Sequence, residues 1–148
     1  MKYLFSILAI FAFTFTALAQ EKKDNPNAPI FRFNEETHDF GTLKEGPVAE
    51  YVFEFTNVGK EPLIIQNCSA SCGCTTPDWT KDPIMPGKKG KITVKYNTQG
   101  RPGGFNKTVY IQSNAKSEKD RYELHIKGTV TAAPKPATTQ DPTPDVKH

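Results

Sequence analysis

Val48-Ala-Glu-Tyr-Val-Phe-Glu-Phe-Thr56 places Tyr51, Phe53 and Phe55 on one face of an extended chain and Glu50, Glu54 and Thr56 on the other. That period of two belongs to a strand with one face in a core and one in water. The alternation returns in Lys91 to Asn97, where Ile92, Val94 and Tyr96 point inward and Lys91, Thr93 and Lys95 outward. It returns again in Arg121 to Val130, with Tyr122, Leu124 and Ile126 inside and Arg121, Glu123, His125 and Lys127 outside. Nowhere do apolar residues recur at the three- and four-residue spacing of a helix for long enough to form one. The domain is therefore expected to be all-β.

The segments between these strands carry turn chemistry. Asn57-Val-Gly-Lys-Glu-Pro62 offers residues that accept positive φ, followed by a proline that can begin a strand but not continue a central one. Leu63 to Asn67 reads as a short strand, and Asn106 to Ser113 as another with Val109 and Ile111 inward. Pro77 to Pro83 reads as irregular, and Pro86-Gly87-Lys-Lys-Gly90 and Gly100-Arg-Pro-Gly-Gly-Phe105 read as connections. At the start, Ile30-Phe-Arg-Phe33 and Thr37-His-Asp-Phe40 make one broken strand, with Phe31, Phe33 and Phe40 for the core. About seven strands at intervals of roughly 10 to 15 residues are the pattern of a β-sandwich.

The ends differ in composition. Residues 1–19 open with Lys2, run through an apolar span and close on Ala17-Leu18-Ala19, the form of a secretory signal peptide. The span is too short for the roughly 20 residues of a membrane anchor, and no stable membrane span is expected. Residues 20–29 are polar and read as a flexible lead-in to a domain covering 30–130. Residues 131–148 are rich in Pro, Thr and Ala and read as a disordered tail. Without Lys2 the formal charge of +3 becomes +2, too little and too scattered for nucleic acid. The expected product is exported, periplasmic or extracellular, in a compartment that permits disulfides.

Every cysteine lies in Cys68-Ser-Ala-Ser-Cys-Gly-Cys-Thr-Thr76. A nucleophilic cysteine needs a neighbouring base, and the mature chain offers only His38, His125 and His148. His148 ends the tail, His125 faces outward, and His38 reads as a structural residue of the first strand, so no enzyme is expected. Three readings of the cysteines stay open: a disulfide, a thiol site for copper or redox chemistry using Cys72 and Cys74 with or without Cys68, and unpaired structural thiols. A Cys72 to Cys74 bridge would close a small, strained ring across Gly73, which lets the backbone bend, whereas Cys68 can meet either partner across a wider turn. Chain entropy does not choose among the wider pairings, since closing five or seven residues contributes about 2 kcal/mol either way. Lys91, Lys95, Lys107, Arg121 and Lys127 suggest at most a mildly basic, solvated face. Asn67-Cys-Ser69 and Asn106-Lys-Thr108 match a glycosylation pattern common by chance.

The chain resembles secreted bacterial proteins that carry domain of unknown function fifteen-seventy-three. The matching residues are His38-Asp-Phe-Gly41, Phe55-Thr-Asn57 with Gly59, Ser71-Cys-Gly-Cys-Thr75, Pro86-Gly87 with Gly90, Gly100-Arg-Pro-Gly-Gly-Phe-Asn-Lys-Thr108, Ser113-Asn114 and Gly128. The resemblance implies an immunoglobulin-like sandwich of the pilus-chaperone and sperm-protein kind, a scaffold for protein contacts with no known activity or cofactor. It also implies that Cys72 and Cys74 are the shared pair and Cys68 an addition. The function expected is that of an exported, non-catalytic module that contacts a protein or envelope component. The alternative is a copper-binding or redox protein using Cys72 and Cys74.

Overall fold

The computed structural model describes residues 25–117 and 121–134. The signal peptide, the first part of the lead-in, His148 and the tail beyond residue 134 lie outside them. Eight strands follow in order: β1 (Phe31–Phe33), β2 (Thr37–Lys44), β3 (Val48–Asn57), β4 (Ile65–Ala70), β5 (Thr75–Trp79), β6 (Lys89–Asn97), β7 (Gly103–Ser113) and β8 (Tyr122–Thr131). They form two four-stranded sheets, β1-β3-β6-β5 and β2-β8-β7-β4. The fold is an immunoglobulin-like β-sandwich.

Two features separate these eight strands from the about seven expected. The broken first strand divides between the sheets: β1 pairs antiparallel with β3, and β2 pairs in parallel with β8. The irregular stretch after the cysteines is partly a strand, β5, which pairs only with β6. An edge strand needs donors on one side alone, so it tolerates Pro77, the residue that hides it in the sequence.

The alternating positions meet between the sheets. Phe53, Phe55, Ile92 and Val94 from one sheet pack against Val109, Ile111, Leu124 and Ile126 from the other, all buried. Each such side chain contributes about 1.5–3 kcal/mol on leaving water. Phe33, Phe40, Tyr51 and Tyr122 line the margin, partly buried against this core. The Tyr122 hydroxyl donates to Glu36, and burial, with that carboxylate beside it, raises the phenol above its ordinary pKa.

One polar side chain is buried completely and holds three segments together. Asn57 Nδ2 donates to the carbonyls of Glu61 (2.8 Å) and Ile84 (2.9 Å). Its Oδ1 accepts from the backbone N–H groups of Gly59 (3.0 Å) and Ile30 (3.3 Å). Both donors and both acceptor positions of the amide are thus used. Beside it, residues 25–29 lie against the body: Lys60 N donates to Asn27 O (3.2 Å), Lys116 N donates to Pro29 O (2.8 Å), and Pro29 is buried. This part of the expected flexible lead-in is held by main-chain bonds, which leave no apolar pattern in the sequence. Gly59 permits the approach, since a Cβ there would stand 2.3 Å from the Ala28 carbonyl oxygen.

Replacing Asn57 by Ala strands two buried carbonyls and two N–H groups, and we expect urea denaturation to show a loss of about 3 kcal/mol. Gly59→Ala is expected to displace residues 25–29, read as faster hydrogen exchange at the Lys60 and Lys116 amides while the core amides keep their protection.

Candidate functional site

The chain leaves one sheet at Ala70 and enters the other at Thr75, so the Cys72-Gly73-Cys74 loop spans the two layers. Main-chain bonds fix both sides of the loop. Ser71 N donates to Thr108 O of β7 (2.9 Å), and Thr108 N donates to Ser71 Oγ (3.2 Å). On the far side Asn97 N, at the end of β6, donates to Cys74 O (2.9 Å), and Thr75 N donates to Cys72 O (3.2 Å). Cys72 and Cys74 are joined as a disulfide with their Cα atoms 5.3 Å apart.

The Thr75 hydroxyl lies beneath this bond. Thr75 is buried, and its Oγ1 stands 3.6 Å from Cys72 Sγ and 3.8 Å from Cys74 Sγ. A disulfide sulfur carries no proton, so the hydroxyl is the donor to this weak acceptor pair. Both half-cystines are partly exposed, and Gly73 between them is exposed. Gly73 has no positive φ, and a Cβ there would meet nothing within 4 Å. The bend therefore does not require glycine, and a side chain at this position would project into solvent.

Cys68 belongs to a different environment. It faces the core from β4, opposite Ile111 of β7, and its thiol is free. Burial pushes this thiol up to about 12, with the nearby charges of Lys81 and Asp78 acting in opposite directions. The wider Cys68 pairings allowed by spacing are not formed, because strand alternation turns Cys68 inward while the loop carries the other two cysteines to the rim. Among the described residues no three His, Cys, Asp or Glu side chains are grouped as metal ligands, so the copper set Cys68, Cys72 and Cys74 is not assembled.

His38 and His125 stand apart from the sulfurs. His125 Nδ1 lies 3.3 Å from Thr108 Oγ1, and Thr108 in turn pairs with Ser71, so His125 is two strand spacings, about 10 Å, from the loop. His38 is on β2, at the opposite edge of the sheet from β4. It stacks on Tyr51 at 3.5 Å between ring centres and meets Glu35 Oε1 at 2.9 Å. Hydrogen bonds from Tyr51 and then His38 hold the Glu35 carboxyl below its ordinary pKa. The expected basic face is divided: Lys91 and Lys95 lie on β6, whereas Lys107, Arg121 and Lys127 belong to the other sheet and its approach. Lys95 meets Glu50 at 3.3 Å and Lys127 meets Asp39 at 3.5 Å.

Sequence reasoning missed Thr75 and Trp79. Trp79 Nε1 donates to Ile65 O (3.3 Å) and closes β5 over β4, with Lys81 Nζ 3.0 Å above its ring. Trp79 was concealed because Thr75-Thr-Pro-Asp-Trp79 carries a proline and no run of apolar residues at every second position.

Fold and loop together define an eight-stranded, immunoglobulin-like sandwich with a disulfide at the crossing between its sheets. The chain belongs to the family described as Protein of unknown function (DUF1573), whose model matches residues 31–130. No curated protein matches the sequence. Among solved structures it is similar to a protein of unknown function from Porphyromonas gingivalis W83, with 16% identity and a TM-score of 0.63 over 74% of this chain and 51% of that one. The chain thus spans about half of that protein. It is also similar to PapD-like domain 7 of human CEP192, with 11% identity and a TM-score of 0.59 over 76% of this chain and 93% of that one. The Vibrio cholerae VesB protease shares the fold over 32% of its own length, with 11% identity, 70% of this chain and a TM-score of 0.54. At these identities the likeness is one of fold.

Closing three residues removes little chain entropy, so the Cys72→Ser, Cys74→Ser double variant is expected to lose only about 1.5 kcal/mol and to keep its native circular dichroism. Cys68 sets a separate pH dependence. Its folded pKa is raised from the ordinary 9.0 to about 12. The resulting stabilisation is complete below pH 9 and declines as pH rises toward 12. Denaturation curves of Cys68→Ala against the native chain are expected to show a shallower fall over that range.

Proposed function

We propose that this protein is an exported, non-catalytic sandwich that binds another protein of the cell envelope through the end of the fold organised by Asn57. The observation that carries this reading is apolar exposure. Ile30, Val58, Ile64 and Met85 are exposed by 39, 37, 42 and 52%, and all four adjoin the segments that Asn57 joins. Large apolar side chains gathered on rigid, hydrogen-bonded segments suit a protein contact, because little side-chain and loop entropy is lost on binding. The PapD-like neighbour supports a scaffold role, and among the described residues no helix is long and apolar enough to cross a membrane. The expected signal peptide supports export to the periplasm or the exterior, and fractionation of the native host's cells with an antibody to the mature chain tests it.

A photo-crosslinking residue at position 85 is expected to trap a defined envelope protein in intact cells, and Ile64→Asp with Met85→Asp to reduce binding to it at least tenfold. Val52→Asp, on the outer face of β3, serves as the surface control. Equal crosslinking at positions 52 and 85, or no loss with the double variant, contradicts the reading.

A further inference from the structure

The cysteine loop is at the other end of the sandwich from Asn57 and calls for its own account. Position 56 pairs with Lys89 at the start of β6, whereas Cys74 is bonded to Asn97 at its end. Eight strand residues, about 27 Å, separate the two sites. A disulfide that closes three residues constrains the unfolded chain little. The crossing itself is already fixed by the bonds from Ser71 to Thr108 and from Asn97 to Cys74, which do not involve sulfur. Cys72 and Cys74 are therefore held side by side by the two sheets as well as by the S–S bond. That is the condition for a thiol pair to re-form its bond without unfolding.

The buried Thr75 hydroxyl lies within reach of both sulfurs, and a hydroxyl donates far more strongly to a thiolate than to a disulfide sulfur. Cys72 and Cys74 are both partly exposed, with the exposed Gly73 between them, so an incoming thiolate can approach the pair from solvent.

We propose that Cys72 and Cys74 are a reversible thiol–disulfide exchange site that takes two electrons from, or returns them to, a dithiol protein, with the Thr75 hydroxyl as hydrogen-bond donor to the leaving thiolate. In reduction, a thiolate of the partner attacks one sulfur of the pair. A mixed disulfide forms, the Cys72–Cys74 bond breaks, and its electron pair stays on the other cysteine as a thiolate facing Thr75. The partner's second thiol, losing its proton, attacks the mixed disulfide and releases the remaining cysteine. The partner ends as a disulfide, and its two protons end on Cys72 and Cys74. Cys68 takes no part, since it is turned into the core. The exchange goes beyond the contact role proposed above and stands or falls independently of it.

The test uses the full mature chain, equilibrated with mixtures of reduced and oxidised glutathione, quenched by alkylation and read by mass spectrometry beside near-ultraviolet circular dichroism. The expected result is one reversible two-electron transition in which Cys72 and Cys74 become labelled, Cys68 does not, and the native spectrum persists. Thr75→Val is expected to lower the equilibrium constant for reduction about tenfold and to raise the pKa of the more acidic thiol, with Thr75→Ser restoring both. Should the valine variant fail to fold, the native chain and Thr75→Ser decide. A bond that is reduced only after urea unfolds the protein overturns the proposal, as does a folded Thr75→Val indistinguishable from the native chain in both readouts.

Discussion

The crossing between the two sheets is set by main-chain hydrogen bonds, and most of what distinguishes this sandwich depends on them. Ser71 is tied to Thr108 and Cys74 to Asn97, so the chain is committed to one sheet on one side of the loop and to the other sheet three residues later. Buried backbone groups at such a change of layer must find partners. Once they are satisfied, the side chains of Cys72 and Cys74 are brought together by the strands rather than the strands by the cysteines. A disulfide that ordinarily reads as a structural clamp becomes a consequence of the fold.

The opposite end follows the same logic with a side chain in place of a main-chain pair. A strand end, a turn and an incoming segment converge on Asn57, whose amide supplies two donors and two acceptors where the backbone alone would leave gaps. A buried amide with all its hydrogen bonds made is a specific device, because partial satisfaction would cost more than an apolar replacement. It rigidifies the segments that carry Ile30, Val58, Ile64 and Met85, and the two ends of the molecule can then serve different ends chemically.

The sandwich was legible because its core strands alternate cleanly: Phe53, Phe55, Ile92, Val94, Leu124 and Ile126 fall inside where period two puts them. What stayed hidden was organised by hydrogen bonds that leave no periodicity. Residues 25–29 are polar and yet docked, β5 carries a proline at an edge, and the first strand changes sheets without a change of composition. At the site, three cysteines in seven residues marked the place, but spacing could not separate Cys68 from the others. Strand direction does so, by turning Cys68 toward Ile111 and carrying Cys72 and Cys74 to the rim. Thr75 was invisible for a simpler reason: a threonine next to a cysteine is unremarkable until its hydroxyl is seen to face both sulfurs.

The claim that the strands hold the cysteine loop, rather than the reverse, is tested most directly by hydrogen exchange at the Ser71 and Asn97 amides in the oxidised and fully reduced protein. Both amides are expected to keep their protection when Cys72 and Cys74 are thiols. Exchange at the rates of an unstructured peptide after reduction would contradict the account, since it would show that the sulfur bond, and not the two sheets, fixes the crossing.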